Sequence, residues 1–333
     1  MNDGYPHDPK IRIEEKKVIE FRKHRTPNED EKYIVSGSKH VEAAGVLLAA
    51  PLAGDKLPWH NTYNIFRFRK NEFSVWAGTN SAGKSLMLGE ASLGLMRQGK
   101  KVAMISLEMP AERTLSRMLR QAAGTGSTTK FFEKRFEEWL TDKFFIYEKT
   151  TSLTPRRAID LIDYCSSLGA DHIFLDSLMR CNAGADSFSA QKQFIENISL
   201  ASKRNHVHVH LVAHFGKPKP GGSADRYAIK GPTEISDVSD NVLIMSRNTK
   251  KKCETEKTEA ERDEKIMRMP DGWLYVDKQR NGEWDGPISL WFHRESMQYV
   301  SFEDARPIDF LADRDNEREA EEERRAIQEE PES

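Results

Sequence analysis

Short apolar runs alternate with longer stretches of helical periodicity along most of this chain. FSVWA (73–77), KVAMISL (101–107), FFIY (144–147), HIFLD (172–176), VHVHLVAH (207–214) and NVLIMSR (241–247) are brief and rich in β-branched and aromatic residues. Runs of this kind suit strands buried on both faces of a mostly parallel sheet. Between them the spacing turns helical. Leu86, Leu88, Ala91, Leu93 and Leu95 predict a helix from about Ser85 to Gln98, closed by Gly99-Lys100. Further helices are expected over Pro110 to Ala122, 131 to 141, Thr154 to Cys165 and 187 to 204. Pro110 and Pro155 suit first-turn positions, where a missing N–H costs nothing. The rhythm then changes. GWLYVDKQRNGEWDGPISLWFH (272–293) reads as strand, turn and strand, with Asn281-Gly282 and Asp285-Gly286 as turn signals. The fold class is α/β, with a mostly parallel central sheet and a C-terminal β-hairpin.

The flanks lack this rhythm. Residues 8–32 are charged, with Ile11, Ile13, Val18, Ile19 and Phe21 as sparse apolar positions. A short amphipathic helix over 12–23 is expected there, too apolar-poor to fold alone. Three divisions follow: 1–57 as an N-terminal arm and helical lead-in, 58–305 as the core domain, and 306–333 as an acidic flexible tail. Residues 216–232, rich in Gly, Pro and cations, read as a loop, and 248–265 as a charged connector. The 333 residues leave room for a core of roughly 200–250 residues. Net charge is -2, from 51 Lys+Arg and 53 Asp+Glu. That balance still permits nucleic-acid binding, which needs only local positive charge. Cys165, Cys181 and Cys253 match no zinc or disulfide spacing. No stretch reads as a signal peptide or membrane span, so a cytoplasmic location is expected.

The strand FSVWA leads directly into GTNSAGKS, Gly78, Thr79, Asn80, Ser81, Ala82, Gly83, Lys84 and Ser85. A strand that breaks into a glycine-bearing loop ending in Gly-Lys-Ser is the form of a triphosphate site. Its N–H groups and the following helix N-terminus face phosphate oxygens. Lys84 would reach the β- and γ-phosphates, and Ser85 would ligate Mg²⁺. Asp176, at the carboxyl end of HIFLD, is placed to hold the same Mg²⁺. Glu108, just past KVAMISL, can face the γ-phosphate and activate the attacking water; a helix cap is its bland alternative. His214 ends its strand where an imidazole can sense the γ-phosphate. His206, His208 and His210 alternate on one strand face. A zinc reading is set aside there, because no cysteine or carboxylate is arranged with them.

Together these motifs resemble the ATPase domain of replicative hexameric DNA helicases, the DnaB-like group of RecA-type fold, over about Pro58 to Ser301. WAGTNSAGKS is similar to the signature of phage primase-helicases and the mitochondrial replicative helicase. SLEM, IFLDSL, LVAHFGKP and IKGPTEISDVSDNVLIMSRN resemble the catalytic-glutamate, Mg²⁺, sensor and post-loop motifs. Pro232 and Thr233 stand where the family pattern has Gly-Ser-Gly or close to it. The resemblance implies a RecA-like P-loop core that uses ATP, or another NTP or dNTP, with Mg²⁺. DKQRNGEWDG implies Arg280 as an arginine finger for the neighbouring subunit, with Lys278 its companion. It further implies a homo-oligomeric ring, a hexamer, around single-stranded DNA. Arg180, in the loop after IFLDSL, and Lys217, Lys219, Arg226 and Lys230 are the expected DNA contacts. No zinc-finger cysteine set or primase domain precedes the core, so a separate primase or a polymerase is expected as partner, with the acidic tail as one contact. The rival readings are a RecA-like recombination or repair ATPase that binds DNA without unwinding, and a non-catalytic ATP-binding scaffold.

Overall fold

The computed structural model describes residues 33–50, 52–79, 82–181, 188–214 and 234–312. Two compact units divide at Pro51/Leu52. In the first, a 3-10 turn, Gly37–His40, runs into helix α1, Val41–Ala49, which leaves Val41, Val46, Leu47 and Leu48 exposed.

Among the described residues, the second unit is built on nine strands. They are β1 (Phe73–Gly78), β2 (Val102–Ser106), β3 (Phe144–Ile146), β4 (His172–Asp176), β5 (His208–Val212), β6 (Asn241–Arg247), β7 (Gly272–Gln279), β8 (Gly286–His293) and β9 (Gln298–Val300). Their order is β3-β2-β4-β5-β1-β6-β7-β8-β9. The six strands from β3 to β6 are parallel and the last three antiparallel. Parallel neighbours need crossovers, which helices α2 (Lys84–Arg97), α3 (Ala111–Ala123), α4 (Lys130–Leu140), α5 (Pro155–Ser167) and α6 (Phe188–Arg204) supply. Side-chain alternation divides the core. Trp76, Met104 and Phe174 face one layer with Met87, Leu88 and Ala91 of α2. Val75, Ile105 and Leu175 face the other with Ile162 of α5 and Ile195 and Ile198 of α6.

The expected strands and helices form within about two residues of their sequence positions. Four features differ. The charged connector carries helix α8 (Thr249–Thr255), preceded by α7 (Glu234–Val238) and followed by α9 (Glu264–Met267). The Asn248 side chain accepts the Lys251 N–H at 3.1 Å and starts α8, a local cap that the charge density obscures. The expected hairpin gains a third strand, because β9 pairs with β8. The core unit begins at Leu52, with Asp55 bridging Phe68 and Leu57 buried. The chain also stays on the core past Arg306, as far as Leu311. Gln298 exchanges hydrogen bonds with the Ile308 backbone, and Phe310 is buried. The helix expected over 12–23, the loop at 216–232 and the tail beyond 312 lie outside the described residues.

Candidate nucleotide site

The carboxyl ends of β1, β2, β4 and β5 meet at one edge of the sheet, where an open α/β sheet leaves its crevice. β1 ends at Gly78 and α2 begins at Lys84. Gly83, between them, has φ +92, a left-handed conformation that glycine adopts without Cβ strain. Lys84 lies back along the loop and is only 7% exposed. Its Nζ donates to the carbonyls of Gly78 at 3.0 Å and Thr79 at 2.8 Å. Burial lowers its pKa, and the nearby Asp176 and Glu108 carboxylates oppose that shift. Asn80 and Ser81 lie outside the described residues.

Asp176, the last residue of β4, is buried and hydrogen-bonded to the Ser85 side chain. Desolvation, and then the charge of Glu108, pushes its pKa up to about 6, against the pull of Lys84 and Ser85. Two hard oxygen donors from Ser85 and Asp176, held together beside a phosphate loop, fit Mg²⁺, which takes one or two protein oxygens and completes its shell with water and phosphate. A buried carboxylate of raised pKa also gains from a cation.

Glu108 follows β2 and is partly exposed. Its Oε1 accepts the Ser177 hydroxyl at 2.5 Å and lies 3.6 Å from His214 Nε2. The Leu107 N–H donates to the Asp176 carbonyl at 2.7 Å, which fixes the spacing of the two strand ends. Lys84, Ser85, Glu108, Asp176 and His214 are therefore brought together. Ser177 joins them without having been singled out, although it sits inside IFLDSL.

Lys278 and Arg280 are not brought there. β7 pairs antiparallel with β6 through a bulge at Asp277, which sets Lys278 opposite Val242. Lys278 Nζ donates to the carbonyls of Ser236, Asp237 and Ser239 at the end of α7. Arg280 pairs with Asp240 at 3.1 Å and is 47% exposed. Both sit at the amino end of β6. The length of β1, about 17 Å at ~3.3 Å per residue, separates that end from the phosphate loop. Arg180 is exposed at the end of the 3-10 turn Leu178–Arg180. Lys217, Lys219, Arg226 and Lys230 lie outside the described residues.

A cavity of about 460 Å³ opens beside the loop, lined by Gly83, Arg247, Lys252, Phe292, Arg294 and Tyr299 among others. Sequence reasoning missed it. Tyr299 is over 200 positions from the loop, and only the β8–β9 pairing brings it near. The alternating histidines also rearrange. His208 and His210 are buried and cluster with His172 from β4, whereas His206 turns away to bond Asn71 at 2.9 Å. The ring nitrogens of the trio are spent on Asp55, Ser74, Trp76, the Arg69 carbonyl and one another.

The family model described as an AAA domain matches residues 61–220. No curated protein matches the chain. Among solved structures, one described as an ATPase domain aligns with a TM-score of 0.64 at 13% identity, over 83% of this chain and 100% of that one. A DnaB-like replicative helicase, described with its interactions with primase, aligns with a TM-score of 0.62 at 14% identity, over 87% of this chain and 71% of that one. Among the described residues no helix is long and apolar enough to cross a membrane. The chain has the RecA-type fold of a DnaB-like replicative helicase ATPase domain.

Proposed function

We propose that the chain is the motor of a replicative-type DNA helicase. It hydrolyses ATP, or another NTP or dNTP, and translocates on single-stranded DNA as a homohexameric ring. The observation that carries this reading is the convergence of Lys84, Ser85, Asp176, Glu108 and His214 at one sheet edge. The Lys84 ammonium exchanges the Gly78 and Thr79 carbonyls for β- and γ-phosphate oxygens. Ser85 and Asp176 hold Mg²⁺. When bound, that ion would supply positive charge against the negative charge that develops in phosphoryl transfer. Glu108 orients the attacking water and takes its proton, with the Ser177 hydroxyl fixing the carboxylate. His214, close to Glu108, relays the state of the γ-phosphate to the segment that follows it. The cavity beside Gly83 takes the base and ribose, with Tyr299 and Phe292 as aromatic walls and Arg247 and Arg294 as cations.

Arg280, with Lys278 beside it, serves the neighbouring subunit's nucleotide. Its place at the opposite end of its own sheet supports that division, since its own phosphates are out of reach. Arg180, Lys217, Lys219, Arg226 and Lys230 contact backbone phosphates without reading bases. The acidic tail engages a primase or polymerase, and the protein works in the cytoplasm.

The test is strand separation on a forked duplex, with assembly size read by light scattering. Closed rings that unwind, and a Lys84→Ala chain that does not hydrolyse, are expected. Helical filaments that never unwind would move the chain to the recombination-type reading. A parent chain without turnover would sink the hydrolase assignment.

A further inference from the structure

Glu90 is a fully buried carboxyl with no part in the chemistry above. It lies in α2, two turns beyond Gly83. Its Oε1 accepts the Trp59 indole N–H at 3.0 Å, and its Oε2 accepts the Tyr299 backbone N–H at 2.8 Å. The same indole N–H also reaches the Tyr299 carbonyl at 3.1 Å. Both backbone polar groups of Tyr299 are thus tied to one buried knot. The Tyr299 hydroxyl in turn stands over Gly83, where even a methyl group would collide with it. The ring packs on Phe292 with centroids 5.1 Å apart and lines the cavity beside the phosphate loop.

We infer that Glu90 is a positioning residue for nucleotide binding, holding β9 so that Tyr299 forms the fixed wall between the phosphate loop and the base pocket. This inference rests on the nucleotide reading of that cavity. A carboxylate suits the task because both donors that face it are N–H groups, and each oxygen can accept one. Burial raises the Glu90 pKa well above the usual carboxylate range, while the two N–H groups pull it back. A buried acid of this kind is costly, and an apolar side chain would fill the same space more cheaply. What it adds is directional control of one backbone position. A wall tied to the helix that starts at the phosphate loop moves with that loop, so the strap couples the two halves of the pocket. Glutamine keeps the shape but sets an NH₂ against one of the N–H groups.

The test uses the full chain and a fluorescent ATP analogue, with steady-state hydrolysis in parallel. Glu90→Gln is expected to raise Kd and KM about tenfold while moving kcat less than about threefold. Combined with Tyr299→Leu, it should add little to the loss that Tyr299→Leu causes alone. Glu90→Asp, which keeps both acceptors on a shorter arm, should recover part of the affinity. Where Glu90→Gln does not fold, Trp59→Phe removes one donor and should shift KM a few-fold in the same direction. Unchanged Kd in a folded Glu90 variant, or losses additive with Tyr299→Leu, would overturn the inference and leave the nucleotide reading standing. A parent chain that binds no analogue would defeat that reading first.

Discussion

Asp176 is held in a state that its surroundings resist. Its carboxyl is buried, faces the charge of Glu108 and has a pKa raised to about 6, against 3.8 for the free side chain. Between those values the folded chain binds the proton and the unfolded chain does not. Stability therefore falls as pH rises from about 4 to about 6, and the deficit is complete above that. Asp176→Asn is expected to stabilise the fold at pH 7.5 by on the order of 1–3 kcal/mol, since the amide keeps the Ser85 hydroxyl partner without the charge. The same change should abolish Mg²⁺-dependent hydrolysis. Thermal melting beside an ATPase assay checks both, and a destabilised variant would refute the strain argument. Such opposition of stability and activity is expected where a site stores an unfavourable charge for a ligand to relieve.

At the scale of elements, the strands carry their own titration. His172, His208 and His210 fill the face of β4 and β5 beneath Phe68, with Asp55, Lys100, Arg69, Ser74 and Trp76 the polar and charged groups around them. Desolvation lowers the His208 pKa to about 3, and His210 lies well below 6.5 for the same reason. Here the unfolded chain binds the protons that the folded chain refuses. This contribution to stability is intact above about pH 6.5 and is lost progressively as pH falls toward 3. The urea midpoint is expected to drop between pH 6.5 and 4.5, with a shallower slope for His208→Gln. An equal slope in the variant would reject the assignment. The parallel strands were legible because each apolar run matches a strand buried on both faces. The histidine trio was not. Periodicity placed His206 with His208 and His210, but register brought His172 opposite His208 and left His206 at φ 54 outside the strand. Helix α8 was hidden for a related reason, since its stability rests on the Asn248 cap and the pairing of buried Lys251 with part-buried Asp271 rather than on an apolar stripe.

The whole molecule separates the two proposed sets of functional residues by the length of its parallel strands. The phosphate loop lies at the carboxyl ends, and Arg280 lies with Asp240 at the amino end. On the proposed reading, a finger in that place acts on another copy. Lys84→Ala and Arg280→Ala chains are each expected to be inactive in hydrolysis, with Arg280→Ala still binding nucleotide. Mixed in equal amounts, they should regain turnover, because about a quarter of random interfaces pair an intact Lys84 with a neighbour's intact Arg280. A mixture as inactive as its components would end the shared-site reading, as would full activity of Arg280→Ala alone.

The amino-acid sequence by itself determined the proposed ligand class and most of the sheet. A phosphate loop is local, eight consecutive residues whose spacing carries the chemistry, and buried parallel strands announce themselves by composition. Tertiary structure decided what surrounds that loop. Ser177 reaches Glu108 because β2 and β4 are neighbours, and Tyr299 reaches Gly83 because β9 folds back on β8. Glu90 matters only because Trp59 and Tyr299 converge on it from opposite ends of the unit. Such contacts join residues tens to hundreds of positions apart, and no local pattern records them. On the proposed reading GTNSAGKS marks where the phosphates go, and the packing of distant strands determines the shape of the pocket beside it.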